Sequence, residues 1–372
     1  MARVADPPSS PPGPAAAGAH DRSPSRPVAP GPSLSTARLR LRWVAAGVAA
    51  VVVAMALGLV IGPVRLGVVD VGRELLGLPT GLRDQERAIV VDIRLPRVVL
   101  GLLVGAMLSL AGASYQGVFR NPLADPYLLG AASGAGLGVT IAVVTRAAED
   151  ATTIPLSAPV AAFVGALVAV LLTYVIGAAG GGRMSTAALI LAGVAVTSFL
   201  TAGQTYLQQR HQDTIRQVYS FILGGISTVG WREVAIALPY LVVATVVLLS
   251  QRRTLDVLAL GDDEATTLGL HARRSRLVVV VAASLGTAAA VSVSGLIGFV
   301  GIIVPHTIRL LAGASHRVLL PLSVLFGGAF LVLADLLART LASPAEIPIG
   351  VVTAFFGAPF FVLVLRNSKR LT

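Results

Sequence analysis

Apolar stretches of roughly 20 residues recur along the 372-residue chain, and a helix of that length crosses a hydrocarbon core about 30 Å thick. Hydrophobic residues make up 55% of the chain and charged residues only 13%, whereas soluble domains carry about 25% charged residues. A chain of this composition has too little polar surface to cover a water-exposed exterior. The sequence therefore predicts an all-α polytopic membrane protein.

Hydropathy windows of about 19 residues predict ten transmembrane spans. They cover 43–63, 96–118, 127–146, 155–177, 187–207, 234–250, 276–297, 299–312, 318–342 and 347–366. The eighth is short enough to be a half-helix or a re-entrant segment, so nine is the competing count. Ten spans place both termini on one side of the membrane, and the basic residues near 38–42 and 366–370 favour the cytoplasm.

The first 36 residues differ from the rest of the chain. They are rich in Pro, Ala and Ser, a composition that does not bury enough apolar surface to offset the entropy of ordering. We expect a disordered cytoplasmic tail over 1–36 and a transmembrane domain over 37–372. The first apolar run exceeds the 7–15 residues of a signal peptide's core, so we expect it to be retained as a span.

Two residue types are almost absent, and their scarcity excludes whole classes of chemistry. The chain has no cysteine, which excludes disulfides, iron–sulfur clusters and thiolate metal sites. Lys369 is its only lysine, so a GxxxxGK[ST] phosphate loop cannot form. We predict no catalytic residue, no metal site and no bound cofactor. The net charge of +11 fits membrane topology better than nucleic-acid binding.

Few ionisable residues fall within the predicted spans, where such residues are expensive and often functional. Asp335 lies four residues before Arg339, which predicts a local ion pair on one helix face. His306 follows Pro305 at a predicted helix start, where a capping or packing role is expected. Arg309 is the remaining candidate.

Small residues at helical spacing predict close contacts between helices. Gly101 and Gly105 form a GxxxG motif, and Gly130, Gly134 and Gly138 repeat the same interval. Such faces serve packing, and they also permit helices to slide between conformations.

Two connecting segments carry local signals. Residues 121–126 contain two prolines, Asn and Asp, which predicts a tight turn. Residues 255–270 are too acidic to span a membrane. The acids after Gly261 suit the first turn of a short helix and Gly269 suits its end, so we expect two short helices that form a docking element. The alternative is an amphipathic connector lying on the bilayer.

Two blocks of residues resemble a known family. The first runs from Arg94-Leu-Pro-Arg97 through 121–126 to Gly134, and the second runs from 295–301 through Pro305-His306 to 357–359. Both resemble the permease subunits of bacterial ABC importers for iron–siderophores, haem and vitamin B12. The likeness extends from about Arg94 to the C-terminus.

The resemblance implies a vitamin B12 permease-like fold of ten helices that works as a homodimer or with a paralogous permease. It also implies two cytoplasmic ABC ATPase subunits, which use ATP and Mg²⁺ and dock between the sixth and seventh spans. The residues that match this coupling motif and its flank are Asp262, Asp263, Glu264, Ala265, Leu268 and Gly269. The chain itself is expected to be a transport subunit and not an enzyme.

The resemblance further implies that external arginines receive acidic residues of a substrate-binding protein, and Arg94, Arg97 and Arg339 occupy the matching positions. The alternative is a local Asp335–Arg339 pair. The predicted translocation and helix-packing residues are Gly105, Gly112, Gln116, Asn121, Pro122, Gly130, Gly134, Gly301 and Pro305.

The expected function is import of a ferric siderophore across a bacterial cytoplasmic membrane, powered by the partner ATPases. Haem and cobalamin are the alternative substrates. A secondary transporter driven by an ion gradient is the rival from another class, and it predicts carboxylates and broken helices at the midplane. A membrane scaffold without transport is a third interpretation, and it predicts no acidic docking segment.

Overall fold

The computed structural model describes residues 39–64, 66–146, 157–179, 186–226 and 230–368, so the predicted tail at 1–36 lies outside the described residues. Within these ranges all regular structure is helical. The helices are α1 (Leu41–Val60), α2 (Val68–Leu75), α3 (Asp84–Ala88), α4 (Leu95–Phe119), α5 (Ala131–Arg146), α6 (Ala158–Ala178), α7 (Thr186–Arg210), α8 (Ile215–Ile222), α9 (Trp231–Ser250), α10 (Arg252–Leu258), α11 (Asp262–Thr267), α12 (Ala272–Ser294), α13 (Val300–Ala312), α14 (His316–Thr340) and α15 (Ile349–Ser368).

The helices confirm the predicted fold class. Among the described residues, seven helical segments are long and apolar enough to cross a membrane, and three shorter apolar helices accompany them. The shorter ones, α5, α13 and α15, lie at the third, eighth and tenth predicted spans. With 13 residues, α13 is about 20 Å long at 1.5 Å per residue, which is the half-length segment that the sequence predicts.

The buried helix α4 forms the centre of the bundle, and α9, α12, α13 and α14 pack around it. A β-carbon at Gly105 would overlap the backbone carbonyl of Gly327 on α14, so small residues bring these two helices into backbone contact. A π-helical turn at Ile89–Arg94 joins α3 to α4. The resulting 36-residue helical stretch begins well before the predicted span at 96–118, because its first turns are too polar for a hydropathy window.

Helices α5, α6 and α7 pack against one another, and α6 also contacts α12. Gly134 and Gly138 of α5 face the backbone of Gly165 and Ala161 on α6 at distances that exclude a side chain. Gly130 does not belong to this stripe, contrary to the prediction. It precedes α5 and has a φ of +82°, a left-handed conformation that glycine adopts at little cost.

Short helices account for most of what the span prediction missed. Helices α2, α3 and α8 have eight, five and eight residues, which is too short for a 19-residue window to detect. After α8 the chain turns, and the carbonyls of Leu223 and Gly224 accept hydrogen bonds from the backbone of Gly350 and Ile349, both at 3.1 Å. These bonds fix the start of α15.

The bundle has two ends, which we name by the short helices they carry. The α11 end contains α10, α11 and the first residues of α12 and α14. The α3 end contains α2, α3, the start of α4 and the last turn of α14.

Candidate functional site

The predicted docking element at the α11 end has the expected form of a helix, a break and a second helix. The first helix, α10, begins three residues earlier than the predicted boundary at 255. Gly261 forms the break with a φ of +145°, and Asp262, Asp263 and Glu264 occupy the first turn of α11, where the helix dipole favours negative charge. Gly269, with a φ of +80°, ends α11 in the left-handed conformation common at helix C-termini.

Asp262 ties this element to two spans. Its carboxylate accepts hydrogen bonds from the guanidinium groups of Arg120, which follows α4, and Arg276, which lies near the start of α12. Arg120 Nε also donates to the carbonyl of Leu258 on α10 at 2.9 Å. Asp262 therefore joins α4, α11 and α12 at one point, a role that its place in the coupling motif alone does not reveal.

Asp256 of α10 ties the same element to α14. Its Oδ1 accepts the backbone N–H of His316 at 2.6 Å and lies 3.0 Å from His316 Nδ1, and its Oδ2 accepts the hydroxyl of Ser315 at 2.8 Å. Arg317 Nε is 3.5 Å from Oδ2. Burial disfavours the carboxylate, but the hydrogen bonds from His316 and Ser315 outweigh it and hold the pKa of Asp256 below its ordinary value.

The opposite face of the docking element points away from the bundle. Glu264 is exposed and Leu268 is 65% exposed, whereas Ala265 between them is fully buried. Beside this face lies a cavity of about 1010 Å³ bounded by α11, the start of α12 and Tyr174 of α6. The element thus presents an acidic and apolar surface next to an open cavity.

At the α3 end, Arg97 holds a cluster of charges in which Arg97 and Asp335 are buried and Glu346 is exposed. Its guanidinium donates to both carboxylate oxygens of Asp335 at 2.7–3.1 Å and to both oxygens of Glu346 at 2.9–3.0 Å. Arg339 Nε lies 3.8 Å from Asp335. The predicted Asp335–Arg339 pair is therefore present, but the closer, bidentate partner of Asp335 is Arg97 of α4, 238 residues away.

Arg94 and Arg339 bind the end of α1. Arg94 Nη1 donates to the carbonyls of Leu59 and Val60 at 2.7 and 2.9 Å, and Arg339 donates to the carbonyl of Gly58. The last carbonyls of a helix have no partner within it, so these guanidinium groups supply the missing donors.

The three predicted docking arginines are consequently buried, at 4% exposure for Arg94, 7% for Arg97 and 4% for Arg339. Their side chains bind partners within the chain and hold α1, α4 and α14 together. That they receive acidic residues of a binding protein stays a prediction.

Gln116, Gly301 and Pro305 meet where α4 crosses α13. Pro305 has no N–H to donate to the carbonyl four residues earlier, and Gln116 Nε2 donates to that carbonyl, Gly301 O, at 2.8 Å. A β-carbon at Gly112 would overlap Gly301, so the helices touch here through backbone. These predicted residues form one packing unit in which the amide of Gln116, 3% exposed, replaces a missing helix hydrogen bond.

His306 does not lie at a helix start, because α13 begins six residues earlier at Val300. Its ring packs edge-on against Phe360 of α15 with the centroids 5.7 Å apart, so the expected packing role holds. Across the described ranges, no group of three or more His, Asp and Glu side chains is arranged to hold a metal ion.

The predicted turn at 121–126 is confirmed. The side-chain oxygen of Asn121 accepts the N–H of Leu123 at 3.0 Å, and that of Asp125 accepts the N–H of Tyr127 at 2.8 Å. These are two successive Asx turns. Exposed Pro122 lies within the first.

Comparison with known protein families identifies the family of this chain. The model of the FecCD transport family matches residues 50–367. The chain belongs to the FecCD transport family. It is an ABC importer permease, a multi-pass transport subunit, which confirms the resemblance seen in the sequence.

Relatives of this FecCD permease serve different substrates. The cobalamin import system permease protein BtuC of Halobacterium salinarum is 44% identical over 292 residues, 78% of this chain and 77% of that protein. The hemin transport system permease protein HmuU of Yersinia pestis is 38% identical over 297 residues, 78% and 87% of the two chains. A solved structure described as an inward-facing metal-chelate type ABC transporter matches with a TM-score of 0.76 and 28% identity, covering 88% of this chain and 99% of that one.

Sequence reasoning missed Asp256, Arg120, Arg276 and His316 as parts of the site. One signal was present, since Asp256 interrupts an otherwise apolar run in a short helix. Its partners come from distant segments, so their identity could not be read from the sequence.

Proposed function

We propose that this FecCD permease imports a metal chelate with energy from ABC ATPase subunits that dock on the exposed face of α10 and α11. The observation that carries the proposal is the construction of this element. One side is bonded to α4, α12 and α14 through Asp262 and Asp256, while the other side leaves Glu264 and Leu268 free of the bundle. A partner that displaces this element acts on three spans at once.

We propose a ferric siderophore as the first candidate substrate. The names of the relatives support cobalamin and haemin as well. All are bulky chelates in which the ligand encloses the metal, so the permease needs no metal ligands of its own. Delivery by an external binding protein to a pair of permease copies, with the α11 end in the cytoplasm, belongs to the same proposal.

The test is uptake into proteoliposomes that contain this chain with its cognate ATPase, copurified from the source cells. The substrate panel is cobalamin, haemin, ferric citrate and a ferric hydroxamate. We expect ATP-dependent uptake of one of them. Uptake driven by a proton or sodium gradient without the ATPase would show a secondary transporter, and no uptake in any condition would contradict transport.

The docking surface is tested by the paired substitution Glu264→Lys/Leu268→Arg, which we expect to abolish ATPase copurification and ATP-dependent uptake. The matched control, Asp84→Lys/Leu76→Arg, changes an exposed acid and an exposed leucine at the α3 end. It should leave ATPase binding unchanged. Retained binding in the first variant would place the ATPase elsewhere.

A further inference from the structure

The start of α14 is capped by a residue of another helix. Helix N-termini leave backbone N–H groups without partners, and a Ser at the N-cap commonly accepts one of them. Ser315 occupies the N-cap of α14 but makes no such bond; its hydroxyl instead donates to Asp256 Oδ2 at 2.8 Å. Asp256 Oδ1 takes over the capping role by accepting the N–H of His316 at 2.6 Å.

This contact is well enclosed. The His316 side chain is 7% exposed and Asp256 is 24% exposed. His316 also packs against Gly117 of α4, where a β-carbon would lie 2.5 Å from His316 Nε2. The first turn of α14 is therefore held between α10 and α4, with three hydrogen bonds of 2.6–3.0 Å directed at one carboxylate.

The far end of α14 is held as firmly. Asp335 lies in the last turns of this 25-residue helix and is bonded to Arg97 at the start of α4. A helix of that length spans about 37 Å. A single continuous helix, with Pro321 inside it, thus joins the docking element at the α11 end to the charge cluster at the α3 end.

We propose that Asp256 is a positioning residue for energy coupling. Its hydrogen bonds hold the first turn of α14, so that a displacement of α10 by the ATPase also moves α14. This inference rests on the proposed function. Asp262 separately bonds the docking element to Arg120 after α4 and to Arg276 of α12. The loss of Asp256 therefore uncouples α14 without detaching the docking element from the bundle.

The test compares uptake, ATP hydrolysis and thermal stability in the reconstituted complex. With Asp256→Ala we expect the ATPase still to copurify, because Glu264 and Leu268 remain exposed. Uptake per ATP hydrolysed should fall about tenfold or more, within the usual range for coupling between sites. Asp256→Asn keeps one acceptor oxygen and should give an intermediate value. Asp213→Asn, an exposed acid between α7 and α8, is the control and should resemble the wild type.

A second variant separates coupling from simple stabilisation of the helix. In Asp256→Ala/Ser315→Asp the new carboxylate at position 315 caps α14 from its own N-cap, where the backbone is already extended (φ −64°, ψ 131°). Alanine at position 256 cannot form the hydrogen bonds that join α10 to α14. We expect this variant to regain thermal stability and to remain uncoupled. Full recovery of uptake would overturn the proposal, as would wild-type coupling in Asp256→Ala. If the wild-type complex shows no ATP-dependent uptake, the proposed function fails and this inference fails with it.

Discussion

At the scale of single residues, polar side chains within this membrane protein replace hydrogen bonds that helices cannot make for themselves. Gln116 donates a hydrogen bond to the Gly301 carbonyl, which Pro305 cannot bond, and Arg94 donates to the last carbonyls of α1. Unpaired polar groups cost several kcal/mol in a bilayer. The positions of these side chains follow from the backbone groups they satisfy.

The Gln116 bond predicts a specific non-additive effect. Gln116→Leu leaves the carbonyl of Gly301 without a donor and should cost about 1–3 kcal/mol of stability. Pro305→Ala restores an N–H four residues after Gly301, so Gln116→Leu should cost much less in that background. Thermal melts of the wild type, both single variants and the double variant measure the interaction. If the stability losses of the two single variants add up in the double variant, Gln116 does not act through the Gly301 carbonyl.

Arg97 allows its internal role to be separated from the predicted docking role. Arg97→Leu leaves buried Asp335 with only the 3.8 Å contact to Arg339, and we expect a loss of about 3–5 kcal/mol. Arg97→Leu/Asp335→Leu removes both charges and should recover most of that stability. If Arg97 also contacts a binding protein, the stable double variant will bind it more weakly than wild type, as measured by pull-down from detergent. Arg83→Gln, whose side chain is 79% exposed, is the control for surface charge.

At the scale of elements, the short helices α10 and α11 show both the reach and the limit of sequence reasoning. Gly261, the acids after it and Gly269 were enough to predict a break and a second helix, because these signals act within a few residues. Bonds from Asp256 to His316 and from Arg97 to Asp335 span 60 and 238 residues. No periodicity encodes such pairs, and the local i,i+4 rule found the Asp335–Arg339 contact but not the closer bonds from Arg97.

The stabilising contribution of the Asp256 carboxylate should be lost in acid. The pKa of this carboxyl is lowered in the folded protein, so its stabilising contribution is complete above the ordinary value of about 3.9 and disappears as the pH falls through the lower folded value. We expect the gap in Tm between wild type and Asp256→Asn to narrow as the pH falls below about 4. A gap that widens as the pH falls below that value would contradict this.

At the scale of the whole molecule, hydropathy predicted the ten span positions because bilayer thickness sets their length. It placed span ends only approximately and did not detect the polar turns that extend α4. The order in which helices surround α4 also escaped prediction, since their apolar faces are nearly equivalent in sequence. Close glycine contacts such as Gly105 with Gly327 fix that order in three dimensions.

The orientation of the bundle is directly testable because the chain has no cysteine. Leu260→Cys and Leu76→Cys introduce thiols at exposed sites on the α11 and α3 ends respectively. In intact spheroplasts lacking the ATPase, a membrane-impermeant maleimide should label Leu76→Cys only, and in inverted vesicles Leu260→Cys only. The reverse pattern would place the docking element outside the cell.

The anchoring of α1 has a consequence for how the protein is made. This helix is weakly packed, with 22% of its apolar window buried, and one of its last carbonyls is bound by Arg339, 281 residues later in the chain. During synthesis α1 is made well before α14, so Arg339 reaches it only when α14 has been made. A nascent chain stopped before α14 will therefore carry an α1 whose carboxyl end is bonded to Arg94 but which still lacks α14, the helix against which it mainly packs.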